Sequence, residues 1–157
     1  AQASTTVWQP AYVEYRPQWA FGFGLGYSTV TCSNVTLSAG ELAPGSPVTA
    51  TVTVTNHGPY AQRETVQMLT RQHYRAGYAP ENYRLRAFAK IDLPAGESRT
   101  VALQLRAEDL AFWDRDLRRR IEPAPVTVAI NPYTYADVSA TVQLVADPDV
   151  LLNEAGH

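Results

Sequence analysis

Two pairs of closely spaced carboxylates are the residues of this chain best suited to chemistry: Glu108 beside Asp109, and Asp114 two positions before Asp116. Two acids facing each other across a substrate, about 5–9 Å apart, are the machinery of glycoside hydrolysis. These acids are instead neighbours in sequence. Adjacent acids at the start of a helical turn accept its free backbone N–H groups and oppose its dipole. That is the role expected of Glu108 and Asp109. Asp114 and Asp116 flank Arg115 and precede Arg118, Arg119 and Arg120, a pattern that predicts a solvated ionic hairpin whose charges discourage edge-to-edge aggregation.

The remaining reactive residue types are scattered. His57, His73 and His157 lack the local spacing of a zinc site, so neither a metal nor another cofactor is expected. No serine sits in a nucleophile-elbow pattern. Cys32 is the single cysteine; it has no internal partner and reads as a small, partly buried strand residue. Phe21 to Tyr27 alternates aromatic or apolar residues with glycines. Those glycines lack the spacing of a phosphate-binding motif; they let the backbone bend while the large side chains anchor it. Asn34-Val35-Thr36 is an N-glycosylation triplet, so Asn34 is a candidate acceptor in a secretory setting.

Aromatic residues carry the strongest positive signal. Tyr74, Tyr78 and Tyr83 share one loop, Tyr133 and Tyr135 follow an apolar strand, and Trp8, Tyr12, Tyr15 and Trp19 mark the first twenty residues. Large rings are costly to leave in water, and such clusters dock on a protein domain or stack on sugar faces. Docking on another domain is the preferred role of these nine residues. Polysaccharide contact is the alternative.

Composition bounds the rest. With 45% hydrophobic and 18% charged residues, the chain is globular rather than disordered. A net charge of −2 offers no general attraction to nucleic acid or to anionic membranes. No apolar run approaches the roughly 20 residues that span a bilayer. The first residues do not form a signal peptide, so a targeting segment is expected to be absent or already removed. The expected location is extracellular, secreted or at the cell surface.

The elements that must position these residues are all strands. Val48, Ala50, Val52 and Val54 alternate with Thr49, Thr51, Thr53 and Thr55, and Asn56-His57-Gly58-Pro59 closes that run as a turn. Glu64 to Arg71 forms the next strand, and a loop runs from Gln72 to Tyr83. Arg84 to Asp114 then reads as strand, Pro94–Glu97 turn, strand, and one helical turn. On that turn Leu110 and Trp113 would share a face and plug an end of the fold. Val126–Ile130 and Val138–Val145 complete the set. About seven short strands and almost no helix predict an antiparallel β-sandwich of immunoglobulin or fibronectin type III-like kind. Its inward residues would be Val48, Val52 and Val54, Val101, Leu103 and Leu105, Val126, Val128 and Ile130, and Val138, Val142 and Leu144. Residues 1–20 form an extended lead-in, 21–146 the sandwich and 147–157 a tail.

Several stretches resemble one family. FGFGLGYST resembles the PFGYGLSYT-type motif that opens the C-terminal fibronectin type III-like domain of glycoside hydrolase family 3, the β-glucosidases and β-xylosidases. VTATVTVTNHGPYAQRETVQML is similar to that domain's strand–TNTG–strand passage. LRAFAKIDLPAGESRTVALQLRAEDLAFWD looks like its PGES and EDLAFYD signature, and the match spans about residues 12–145. Ala20 stands where proline is usual, Gly26 where serine is usual, and Asn131-Pro132 where Gly-Ser-Ser is common. The catalytic nucleophile and acid/base of that family lie on two preceding domains, so the resemblance implies no catalytic residue here. It implies a non-catalytic module that buttresses those catalytic domains, in the same or an associated chain; the alternatives are a carbohydrate- or surface-binding module working through the tyrosines, and a sandwich reused as a protein-interaction or assembly module. Tyr12 to Arg16 resembles the exit from the second of them, which makes the lead-in a docking strap.

Overall fold

A computed structural model describes Trp19 and residues 23–77, 79–132 and 138–146. Its strands are β1 (Val30–Leu37), β2 (Glu41–Leu42), β3 (Val48–Asn56), β4 (Gln62–Gln72), β5 (Arg84–Leu93), β6 (Ser98–Leu105), β7 (Phe112–Trp113), β8 (Arg119–Arg120), β9 (Ala124–Ile130) and β10 (Ser139–Leu144). Three strands form one sheet in the order β1-β3-β6, and five form the other in the order β2-β10-β9-β4-β5. The short pair β7-β8 stands apart. The predicted sandwich is therefore present, with seven strands of six residues or more and three two-residue additions. Its pairings are antiparallel except that β2 runs parallel to β10.

Alternation builds the core. Along β3, Val48, Ala50, Val52, Val54 and Asn56 are buried while the intervening threonines are half-exposed, the period-two pattern of a sheet with one wet face. Val66 and Met68 on β4, Val126, Val128 and Ile130 on β9, and Val142 and Leu144 on β10 meet it from the other sheet in one apolar cluster. Each expected inward residue is buried except Val138, which is half-buried against that cluster.

The chain passes between the sheets several times, and one residue ties two of those turns together. β3 leads to β4 through residues 57–61, and β5 leads to β6 through Pro94–Glu97. In the second turn the Glu97 amide donates to the Pro94 carbonyl at 3.3 Å, with Gly96 at φ +72°. That is the third-position glycine a type II turn demands. Asn56 is fully buried between the turns. Its Nδ2 donates to the carbonyls of Tyr60 (2.8 Å), Leu93 (3.1 Å) and Pro94 (3.1 Å), and its Oδ1 accepts from the Gly58 amide at 2.9 Å. Its own amide donates to the Glu97 carbonyl at 2.9 Å. Carbonyls that leave the ladders at both crossovers are thus satisfied by a single side chain.

The end of the sandwich departs from expectation. Ala107–Leu110 forms a short 3₁₀ turn, and Leu110 with Ala107 closes the core from that end. Trp113 does not share their face. Chain direction changes at Ala111, whose extended backbone (φ −63°, ψ 145°) starts β7 and leaves the indole 54% exposed. Of the two residues expected to plug this end, only Leu110 does so. The arginine run also differs, since Arg119 and Arg120 lie half-buried on β8 and only Arg118 is exposed.

Candidate docking surface

The acids take structural roles. Asp109 Oδ2 accepts from the Arg106 amide at 3.1 Å and caps the 3₁₀ turn. Glu108 Oε1 accepts from the Gly45 amide at 3.0 Å, tying the turn to the β2–β3 connection. Asp114 Oδ1 accepts from the amides of Asp116 (2.9 Å) and Arg118 (2.8 Å), while Oδ2 pairs with Arg120. Those bonds, the Arg118 amide first among them, hold the Asp114 carboxyl below the usual carboxylate range. Neither pair of acids faces the other across open space. Asp109 and Asp114 hold their own turns, and Glu108 fastens its turn to the β2–β3 connection.

His57 and His73 are apart, each against a threonine hydroxyl: Thr31 at 2.8 Å and Thr127 at 2.7 Å. Among the described residues no group of three His, Cys, Asp or Glu side chains converges. Cys32 is buried in the core cluster; burial, and then the nearby Glu64 charge, push its thiol from an ordinary 9.0 up to about 12. A thiol so protonated is a poor nucleophile.

A second knot of charge joins the loop after β4 to the β7–β8 hairpin. Buried Arg75 donates from Nε to Gln72 Oε1 at 2.8 Å and pairs with Glu81 at 2.9 Å. Its guanidinium lies over the Phe112 ring, 4.6 Å from the centroid, a favourable cation–π geometry. Arg86 donates to Thr70 Oγ1 at 2.9 Å and to the Asp109 carbonyl. Burial, and then the charge of Arg84, lower the Arg86 guanidinium to about 10. A groove of about 520 Å³ lies between loop and hairpin, with Arg84, Glu81, Arg119 and Trp113 on its walls.

The aromatic candidates are not brought together as one cluster. Trp19 is exposed and stacks on Phe23, ring centroids 4.7 Å apart. Tyr74 is 62% exposed and Tyr83 half-buried. Trp8, Tyr12, Tyr15, Tyr78, Tyr133 and Tyr135 lie outside the described residues, as do the tail and most of the lead-in. Asn34 is exposed on β1 with φ 55°, within the bulge between Ser33 and Thr36. Residues 23–27 reverse one expectation, because their large side chains do not anchor into the sandwich. Leu25 is 87% and Tyr27 91% exposed.

Sequence reasoning passed over the outer face of β5. Phe88 is 60% and Leu85 40% exposed there, while Ala87, Ala89 and Ile91 pack on the core. The signal was readable for Phe88: Arg86, Lys90 and Asp92 share its parity and are polar, so the ring falls on the wet side. Leu85 was not readable. A bulge opposite Met68/Leu69 shifts the register and turns it outward.

Comparison with known proteins agrees with this fold. Residues 64–132 match the model of the fibronectin type III-like domain, and the class is therefore a fibronectin type III-like sandwich. The chain is 37% identical over 115 residues to a periplasmic β-glucosidase of Salmonella typhimurium, covering 73% of this chain and 15% of that protein. It is 32% identical over 136 residues to a β-xylosidase of Formosa agariphila, covering 87% of this chain and 19% of that one. Among solved structures, a β-glucosidase of Listeria innocua superposes with TM-score 0.76 at 27% identity, over 88% of this chain and 19% of that one. A family 3 β-glucosidase of Bifidobacterium adolescentis gives TM-score 0.70 at 29% identity, over 87% and 20%. The chain belongs to the fibronectin type III-like domains of glycoside hydrolase family 3. It spans less than a fifth of the length of these curated relatives. No helix among the described residues is long and apolar enough to cross a membrane.

Proposed function

We propose that this sandwich is a non-catalytic accessory domain that buttresses the catalytic domains of a family 3 β-glucosidase or β-xylosidase. The observation that carries the reading is the span of the match: the chain aligns to 19% of the Formosa β-xylosidase and 15% of the Salmonella β-glucosidase. Three of the acids agree with it: Asp109 and Asp114 bond their own turns and Glu108 bonds the β2–β3 connection. The mechanism is mechanical. A rigid sandwich, tied at its crossovers by Asn56 and at its end by Arg75, holds the walls of a neighbouring active site in place. The periplasmic relative favours a parent enzyme working outside the cytoplasm. Purified alone, the chain should leave aryl β-glucosides and β-xylosides unhydrolysed; turnover abolished by no substitution in a co-purifying enzyme but lost on unfolding this chain would overturn the reading.

A further inference from the structure

The two outer faces of the sandwich are chemically opposite. Beyond the three-stranded sheet stand Thr31 and Ser33 on β1, Thr49 to Thr55 in alternation on β3, and Ser98, Thr100, Ala102 and Gln104 on β6, with no large apolar side chain exposed among them. Such a hydroxyl-covered face is satisfied by water. The five-stranded sheet is different. Leu85 is exposed opposite Leu69, itself buried, and exposed Phe88 lies beside Gln67. Gln67 in turn lines a groove of about 650 Å³ whose far wall carries Phe23, Leu25 and Tyr27. Trp19, stacked on Phe23, extends that wall. Leu85, Phe88, Phe23 and Leu25 are exposed here, beside the Arg63–Asp92 ion pair (2.7 Å) and Lys90, while the exposed rings of Tyr60, Tyr74 and Trp113 stand in turns, loops and the β7–β8 hairpin. An apolar centre with a polar rim is the anatomy of a protein interface.

We infer that the outer face of β4 and β5, with Phe88 and Leu85 at its centre and Phe23 and Leu25 at its border, is the seat on which the catalytic body of the same enzyme rests, and that the threonine face stays in solvent. The inference rests on the accessory reading above. Three observations select this occupant. More than four-fifths of each curated relative lies outside the matched region, so a large neighbour is available. The patch runs into Trp19 and Phe23, which precede the first strand in sequence. The ring of Phe88 and the side chain of Leu25 stand free on a surface whose other sheet exposes nothing comparable.

Thiol mapping tests the seat, since Cys32 is the single cysteine of the chain and its protonated, buried thiol leaves the background low. Phe88→Cys, Thr53→Cys and Tyr74→Cys are made in this chain and in the parent enzyme, and maleimide labelling at each site is timed by mass spectrometry. In the parent, the Phe88→Cys thiol should label at least about tenfold more slowly than in the chain alone, while Thr53→Cys labels equally in both. Slowing at Thr53→Cys or Tyr74→Cys without slowing at Phe88→Cys overturns the seat and leaves the accessory reading standing. No slowing at any of the three sites overturns both. Slowing at Phe88→Cys that appears in the chain alone as its concentration rises overturns the seat in favour of a second copy.

Discussion

Removing the Asn56 side chain should be among the most damaging polar substitutions in this sandwich. Asn56→Ala deletes four hydrogen bonds at once: three from Nδ2 to the carbonyls of Tyr60, Leu93 and Pro94, and one accepted by Oδ1 from Gly58. A typical bond contributes about 1 kcal/mol net, and a group stranded in the interior costs about 1–3 kcal/mol. The Leu93 carbonyl is the one reached in a fully buried contact; the others border solvent and recover some hydration. The sum is a loss of about 2–4 kcal/mol against a domain stability on the order of 5–15 kcal/mol. For a chain of this length, each kcal/mol moves the midpoint by about 2–4 °C, so the melting temperature should fall by about 5–15 °C. Asn56→Asp keeps the acceptor for Gly58 but turns a carboxylate oxygen toward three carbonyls. It should be worse than alanine at pH 7. Far-UV circular dichroism melts and urea titrations measure both. An alanine variant within about 0.5 kcal/mol of the parent sequence would refute the idea that one side chain fastens both crossovers.

Three further substitutions or titrations probe the remaining structure. Leu110→Ala should cost about 2–5 kcal/mol by opening a cavity at the end of the core, whereas Trp113→Ala should cost under about 1 kcal/mol; paired urea curves decide, and the reverse order would restore the indole as the plug. The Cys32 thiol should resist iodoacetamide at pH 8 in the folded chain and react freely in urea. Its ordinary value is 9.0 and its folded value about 12, so its contribution to stability is whole below pH 9 and declines as pH rises toward 12. The Asp114 carboxyl is held below its ordinary 3.8, so the β7–β8 hairpin keeps that contribution above about pH 4 and loses it as pH falls through the lowered value. The Arg118 amide resonance, followed by NMR, should report that change, and a shift centred at or above the ordinary value would contradict it.

Much of the fold was legible because burial on a strand has a period of two. Val48 to Thr55 and Val126 to Ile130 state their inward faces outright, and the threonines state the wet one. Which strands share a sheet is another matter. Alternation fixes a face and is silent about the partner, so the Pro94–Glu97 turn read as a reversal without showing that it carries the chain between sheets. The parallel pairing of Glu41–Leu42 with β10 is two residues long, too short to leave a pattern. Trp113 misled because a three-residue spacing presumes that the helix continues, while the chain turns at Ala111.

The candidate surface was less legible than the core. Tyr74 and Trp19 are exposed, and the expected anchors Leu25 and Tyr27 point into solvent. The alternating glycines offer them no opposing layer. Phe88 was overlooked because a ring between alanines resembles a core residue unless the polar parity of Arg86, Lys90 and Asp92 is weighed. Leu85 depends on a bulge, which inserts one residue and reverses every face beyond it.

Heat inactivation of the parent enzyme, with and without residues 23–146, tests the buttress most directly. If the sandwich holds the catalytic body in shape, the truncated enzyme will lose β-glucosidase or β-xylosidase activity at a temperature several degrees lower, about 5 °C or more for an interface worth a few kcal/mol. Equal inactivation temperatures and equal turnover in the two proteins would contradict it.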